Sequence, residues 1–403
     1  MEITLLPADE TKRNFVSVCV SLTFCFVVYS MLLVTVPVYG LELGATPLML
    51  GVVLSSQYLL PFLLAIPLGG VVTRHGGRVT LVAGALVMVV GLVLMQAVPG
   101  FYGLIAGQLL VGLAHLQMVL SAQTVISSLA TGERLEGYFG WYATWLSGGQ
   151  VIGPLLAGGW IEVAGGVGSL FLVMAAIALA GGVTGLLLSG EANRGERVAR
   201  SQTGFRAQAR LMRANTGVQI SVLITIAGMF ALGVYGSYLP VYLDSLGMSA
   251  AVIGVLVSLR AGVSMLARPF IPRIIALVGG RENATYLSLG TLSLGLGCLG
   301  FAGNAPLVAL LSVLVGLGAG LCQPLSMVVL AENVEKAQRA GALGMRLMAN
   351  RAIHFLAPLL FGAILEAGGF GVSFALSGVV VALVAGVLYR FGLSRSDVWK
   401  SRM

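Results

Sequence analysis

Residues 37–44 read PVYGLELG, and residues 240–247 read PVYLDSLG. Five of the eight positions are identical, and the separation is 240 − 37 = 203 residues in a chain of 403. The register continues in both directions along the chain. At 203 residues, Gly51, Val52 and Ser55 match Gly254, Val255 and Ser258, and Gly76-Gly77-Arg78 matches Gly279-Gly280-Arg281. At 204 residues, Gly137, Gly140, Pro154, Leu155, Leu156, Gly158, Glu162 and Gly165 match Gly341, Gly344, Pro358, Leu359, Leu360, Gly362, Glu366 and Gly369. Glycines and prolines held in step over this distance indicate a duplicated unit. The expected organisation is a first half at 1–189, a basic linker at 190–216 and a second half at 217–403.

What each half contains follows from composition. Hydrophobic residues make up 58% of the chain and charged residues 9%, against roughly 25% charged in an average soluble domain. Apolar runs of about 20 residues, enough to cross a hydrocarbon layer roughly 30 Å thick, recur throughout. Twelve spans are expected, at 14–39, 47–72, 79–98, 101–129, 137–163, 167–189, 217–243, 249–277, 283–303, 305–331, 338–366 and 369–391. The first is read as a retained span, since Glu2, Asp9 and Glu10 stand where a signal peptide carries a basic flank. Six spans per half is an even number, so the second copy enters from the same side. The expected fold is an all-α integral membrane protein, two pseudo-symmetric six-helix bundles related by an axis along the membrane normal.

The net charge of +8 is a topology signal and carries no indication of nucleic acid. Lys12, Arg13, Arg74, Arg78, Arg134, Lys336, Arg339, Arg390, Arg395, Lys400 and Arg402 fall on even-numbered connections or the termini, as do Arg194, Arg197, Arg200, Arg206, Arg210 and Arg213. The odd-numbered connections carry Glu42, Glu162, Asp244 and Glu366 but no Lys or Arg. The positive-inside rule therefore places both termini and the middle loop in the cytoplasm, in a multi-pass protein of the cell membrane. Within the linker, Arg206, Arg210 and Arg213 share a helical face beside Phe205, Ala209 and Met212. Both an interfacial helix against anionic lipid and a flexible tether fit that pattern.

Rival chemistries find little support. Cys19, Cys25, Cys298 and Cys322 lie within apolar spans with no CxxC spacing, so no metal site is expected. The sequon Asn283-Ala-Thr285 falls on a cytoplasmic edge. There is no HExxH, GxSxG or phosphate-binding GxxxxGKS motif. Gly295-x-Gly297-x-x-Gly300 lies inside an apolar span without a preceding strand, where helix packing explains it. No selectivity-filter repeat marks a channel. A monomeric secondary transporter without enzymatic activity or cofactor is the remaining class.

Two six-helix halves with this loop pattern resemble the major facilitator superfamily over the whole chain. Between spans 2 and 3 the family pattern is Gly-x-x-x-Asp-Arg-x-Gly-Arg-Arg/Lys. Gly69, Arg74, Gly76 and Arg78 match it, while Thr73 replaces the Asp and Gly77 an Arg. In the family this loop locks the cytoplasmic side in the outward-facing state. Antiporters of the superfamily carry Gly-x8-Gly-x3-Gly-Pro-x2-Gly-Gly in helix 5. Gly140, Gly149, Gly153 and Pro154 match, followed by Ala157-Gly158. The resemblance is closest to the drug/proton antiporter-like branch and implies proton-coupled efflux by alternating access. Uptake of an organic anion, such as a metabolite or siderophore-like compound, is the alternative. A family arginine of helix 4 is absent: Gln108 precedes Gly112 at that spacing.

The halves differ in the charge of their spans. No Asp or Glu stands near the middle of any span, yet Arg260 lies in span 8 and Arg346 and Arg351 in span 11. Their first-half counterparts are Gln57, Tyr142 and Ser147. A guanidinium binds carboxylate or phosphate through paired hydrogen bonds, so the cargo is expected to be a small organic molecule, anionic or amphipathic. Arg346, Asn350, Arg351 and His354 share a face of helix 11. An alternative for Arg346, and also for the deeper Arg351 and Arg260, is snorkelling or capping of a neighbouring helix. His354 is the candidate for proton coupling, since a bound anion would change the field at its imidazole. The other histidine within the spans is His115. The family's central pathway is lined by helices 1, 4, 7 and 10, which adds Gln117, Gln123, Gln323, Tyr29, Tyr235 and Tyr238.

Overall fold

The computed structural model describes residues 8–129, 133–189, 215–334 and 339–394. All regular structure among them is helical. The first six helices are α1 (Ala8–Glu42), α2 (Pro47–His75), α3 (Gly77–Ala97), α4 (Phe101–Leu129), α5 (Glu133–Ala164) and α6 (Leu170–Leu186). Then come α7 (Thr216–Ser245) and α8 (Ala250–Ala267), the latter continued through a 3-10 turn at Arg268–Phe270 into Ile271–Leu277. Next are α9 (Arg281–Leu299) and α10 (Ala305–Asn333). The run Arg339–Ser394 is broken at Gly369, whose φ of 71° is not helical, into α11 (339–368) and α12 (370–394). Twelve helices thus stand among the described residues, close to the twelve expected spans. The basic face at Arg206, Arg210 and Arg213 lies outside them.

The repeated phrase acts as a stop signal. Its final glycine, Gly44 in one copy and Gly247 in the other, takes a φ of 76° and 72°. A side chain on an L-residue clashes in that left-handed conformation, and glycine has none. Both α1 and α7 end there and the chain turns into the next span. Gly165 and Gly369, also repeat partners, repeat the device at φ 72° and 71°, and so separate α5 from α6 and α11 from α12.

The chain forms two compact units. In the first, α3 packs on α4 and α6, and α1 packs on α4, α5 and α6. Small residues permit the close approach: Ser21 donates to the Gly181 carbonyl at 2.6 Å, and Ser30 to that of Gly149 at 2.9 Å. In the second, Ser288 of α9 donates to the Gly318 carbonyl of α10 (2.8 Å) and Ser293 to Gly378 of α12 (2.8 Å). Ser221 of α7 donates to Ser326 of α10 (2.6 Å). In lipid the helices gain little from apolar burial against each other, so such hydrogen bonds and backbone contacts hold them. Leu86, Val90 and Val93 leave an apolar face of α3 exposed, as a lipid-facing helix requires.

Packing departs from the sequence boundary in one respect. Thr46–Gly51, the start of α2, belongs with the second unit, and Gly247–Ser258, the start of α8, with the first. A cut at 190–216 divides the sequence repeat but not these two helix starts.

Candidate functional site

Within the second unit, α7 is the spine. Tyr235 is fully buried and donates its phenol O–H to Ser312 Oγ of α10 at 2.8 Å, which fixes the ring. Above that ring lies the Arg260 guanidinium of α8, its carbon 5.7 Å from the centroid, within cation–π range. The Arg260 backbone is also constrained. A Cβ built at Gly316 would sit 2.7 Å from the Arg260 carbonyl, so only glycine lets α8 and α10 approach this closely.

On the other side of α7, a Cβ at Gly233 would lie 3.2 Å from Nδ1 of His354. Gly233 leaves the room that the imidazole of α11 fills. Arg351 precedes His354 by one turn, and its Nε is buried without a hydrogen-bond partner among the described residues. The described ion pairs are Arg13 with Glu10 and Arg281 with Glu332, neither of which involves Arg260 or Arg351. Two guanidinium groups of this unit, on different sides of α7, thus have no carboxylate in ion-pair contact among the described residues. Unpaired charge in such a place costs several kcal/mol, which an anion would offset.

The other candidates separate by what they already hold. Arg346 is buried; its Nε donates to Ser326 Oγ at 2.9 Å and its terminal nitrogen lies 3.4 Å from the Gln323 carbonyl. It ties α11 to α10, a third role beside binding and snorkelling. Gln323 reaches the Met229 sulfur at 3.5 Å. Asn350 is half-buried. Tyr238 is fully buried, with its O–H 2.9 Å from the Pro47 carbonyl and 3.0 Å from that of Pro358. One phenol proton serves one of these at a time, so Tyr238 is a tie and not an open donor.

In the first unit, Gln117 donates to the Thr80 carbonyl (2.8 Å) and holds α4 to α3. Gln57 is buried, and its amide nitrogen has no hydrogen-bond partner among the described residues. Tyr29 bonds Tyr58 through the phenol oxygens at 3.1 Å and stacks on His115 with centroids 4.0 Å apart, while Phe26 meets His115 edge-on at 4.9 Å. Phe26, Tyr58 and Ser312 were not singled out from sequence. An apolar or hydroxyl residue in a membrane span gives no signal until its neighbour is known.

A model of the Major Facilitator Superfamily matches residues 18–283 and 221–402. The chain belongs to this superfamily. No curated protein matches it. Among solved structures, it is similar to a POT family transporter in complex with 5-aminolevulinic acid, with 14% identity, 96% and 97% of the two chains covered and a TM-score of 0.79. It is likewise similar to a bacterial homolog of the human lysosomal transporter Spinster in an inward-facing, occupied conformation, at 14%, 99% and 100%, and 0.78. The human organic anion transporter TETRAN aligns at 15% identity over 95% and 100% of the chains, with a TM-score of 0.67. At these identities the likeness establishes the fold of a membrane transporter.

The superfamily signatures take definite places in this member. Thr73, at the Asp position, turns its hydroxyl onto the Gly69 carbonyl of its own helix (2.9 Å), and Arg74 is exposed. Gly76 starts α3 with φ 85°, and Arg78 in the first turn is half-buried. In α5, a Cβ at Gly149 would lie 2.8 Å from Phe26 Cβ, and one at Gly153 2.0 Å from Ser30 Oγ. Gly158 and Pro154 pack against the start of α8, while Gly140 faces open space. Close packing accounts for all of the α5 pattern except Gly140.

Proposed function

We propose that this protein is a secondary active transporter of a small organic anion, working by alternating access at the cell membrane as a monomer with both termini cytoplasmic. Proton-coupled efflux is the direction favoured by the α5 pattern, with uptake of an organic anion the alternative. The observation that supports the cargo class is the pair Arg260 and Arg351, neither with a carboxylate partner among the described residues. Arg260 poised over Tyr235 would receive the acidic group through paired hydrogen bonds, with Arg351 supplying a second positive charge. Gln323 and Asn350 of the same unit would add neutral polar contact, within the limits set by the bonds they already make. Arg346 would keep α10 and α11 in register. His354, against Gly233 and one turn from Arg351, would couple occupancy to a proton. Thr73 leaves the cytoplasmic loop without the family's carboxylate latch.

The test is transport in sealed vesicles under an imposed pH gradient of either sign, with organic anions and size-matched cations as cargo. Anion movement that follows the gradient supports the reading. Preference for cations contradicts it.

A further inference from the structure

The extra charge of the second half extends along α8 beyond Arg260. Taken four residues at a time, one stripe of this helix reads Arg260, Ser264, Arg268. Its repeat partners at 203 residues are Gln57, Pro61 and Ala65, none of them ionisable. Residues four apart share a helix face, and eight residues cover about 12 Å of axis. Two arginine side chains can lean towards each other across that length. They come near enough for the Arg268 guanidinium to act on Arg260 as a like charge. Ser264 between them is buried, whereas both arginines are only half-buried.

Two features fix the stripe. Glycines of α10 run alongside it: a Cβ at Gly316 would lie 2.7 Å from the Arg260 carbonyl, and one at Gly320 2.8 Å from the Ser264 carbonyl and 3.0 Å from Ala267 Cβ. Gly316 has a glycine partner in the first half, Gly112, but Gly320 stands where the first half has Leu116. The charged copy thus carries a further close backbone contact one turn nearer to Arg268. Beyond that contact the α-helix breaks. Pro272 has no N–H to give to the Arg268 carbonyl, which accepts from Ile271 in a 3-10 turn. Arg268 therefore sits at a defined bend. Arg273, past the bend, is exposed and lies over the Phe270 ring at 5.8 Å.

Like charges held on one helix face repel, and a solute with two acidic groups relieves that repulsion better than a solute with one. We propose that Arg268 is a specificity-determining residue, and that Arg260 and Arg268 together select a dicarboxylate as cargo. One carboxylate meets the Arg260 guanidinium over Tyr235; the other meets Arg268, two turns further along α8. The inference rests on the organic-anion reading above and narrows it to a class of anion.

Calorimetric titration of the purified full chain in detergent at about pH 7, where both carboxyls are ionised, tests it. The probes are succinate, adipate and suberate, each against its own half-amide, which keeps the shape and removes one charge. Wild type should bind the best diacid roughly tenfold or more tighter than the half-amide, the factor for hydrogen bonds to one charged group. Arg268→Gln should reduce that ratio by about the same factor. Arg268→Lys should keep part of the ratio, and Arg273→Gln all of it. The wild-type and Arg268→Lys ratios decide the matter even where Arg268→Gln does not fold. A wild-type protein that binds diacid and half-amide alike overturns this inference and leaves the organic-anion reading standing. So does an Arg268→Gln protein that keeps the wild-type ratio, or one that loses both ligands equally. Wild type that binds neither series overturns the organic-anion reading, and this inference with it.

Discussion

Gln57 and Arg260 occupy the same place in the two halves, and their backbones are gripped in the same way. A Cβ at Gly112 would lie 1.8 Å from the Gln57 carbonyl, and one at Gly316 2.7 Å from that of Arg260. Glycines and carbonyls are matched by the repeat, 112 with 316 and 57 with 260. Beyond the backbone the halves part. One position carries a buried neutral amide whose nitrogen has no partner among the described residues; the other carries a guanidinium over a locked tyrosine ring. Ser147 against Arg351 and Gln150 against His354 continue the contrast. Duplication conserved the contacts that place the helices and released the side chains that line them. Function in such a molecule is expected where the copies disagree.

The largest effect should come from breaking the shared part. Gly112→Ala drives a methyl group into the Gln57 backbone and should cost about 1–3 kcal/mol of stability, read as a lower melting temperature in detergent. Gly316→Ala, with the wider gap, should cost less stability yet impair anion transport, because it displaces Arg260. Equal transport defects in the two variants would mean the halves contribute alike.

Next in size is the unpaired charge itself. Arg351→Gln removes a buried donor without a partner and should raise stability by about 1 kcal/mol while lowering anion transport. A fall in melting temperature would show that Arg351 holds the bundle together. His354→Gln, which installs the residue of Gln150, should flatten the pH dependence of transport more than it reduces the rate at the optimum. An unchanged pH profile would remove His354 from coupling. Smallest is Thr73→Asp. The site is exposed, so restoring the family carboxylate should shift cysteine accessibility in the cytoplasmic half by an amount worth less than about 1 kcal/mol, with melting unchanged.

The fold was legible because its determinants are local and repeated. Apolar runs set the helices, and Gly44 and Gly247 stop them by a conformation glycine alone adopts easily. The site was legible only as a set of residue types. Tyr235 and Tyr238 stand one turn apart on α7 and look equivalent in sequence. One lies under Arg260 and the other is held by Pro47 and Pro358. Arg346 and Arg351 are likewise near neighbours, yet Ser326, a residue with no periodic signal, takes the first into a helix contact. Which polar group finds a partner depends on helices far apart in the chain, and spacing within one helix does not report it.

The most direct measurement compares wild type with the double variant Arg260→Gln, Arg351→Gln in proteoliposomes, using an organic anion and a neutral and a cationic analogue of the same size. Wild type should move the anion preferentially. The double variant should lose anion transport by about ten- to hundredfold, the factor for hydrogen bonds to a charged group, while its yield and melting temperature match or exceed those of wild type. Anion transport that persists in the double variant, or a wild-type protein that prefers the cation, would contradict the assignment of the cargo to the charged half.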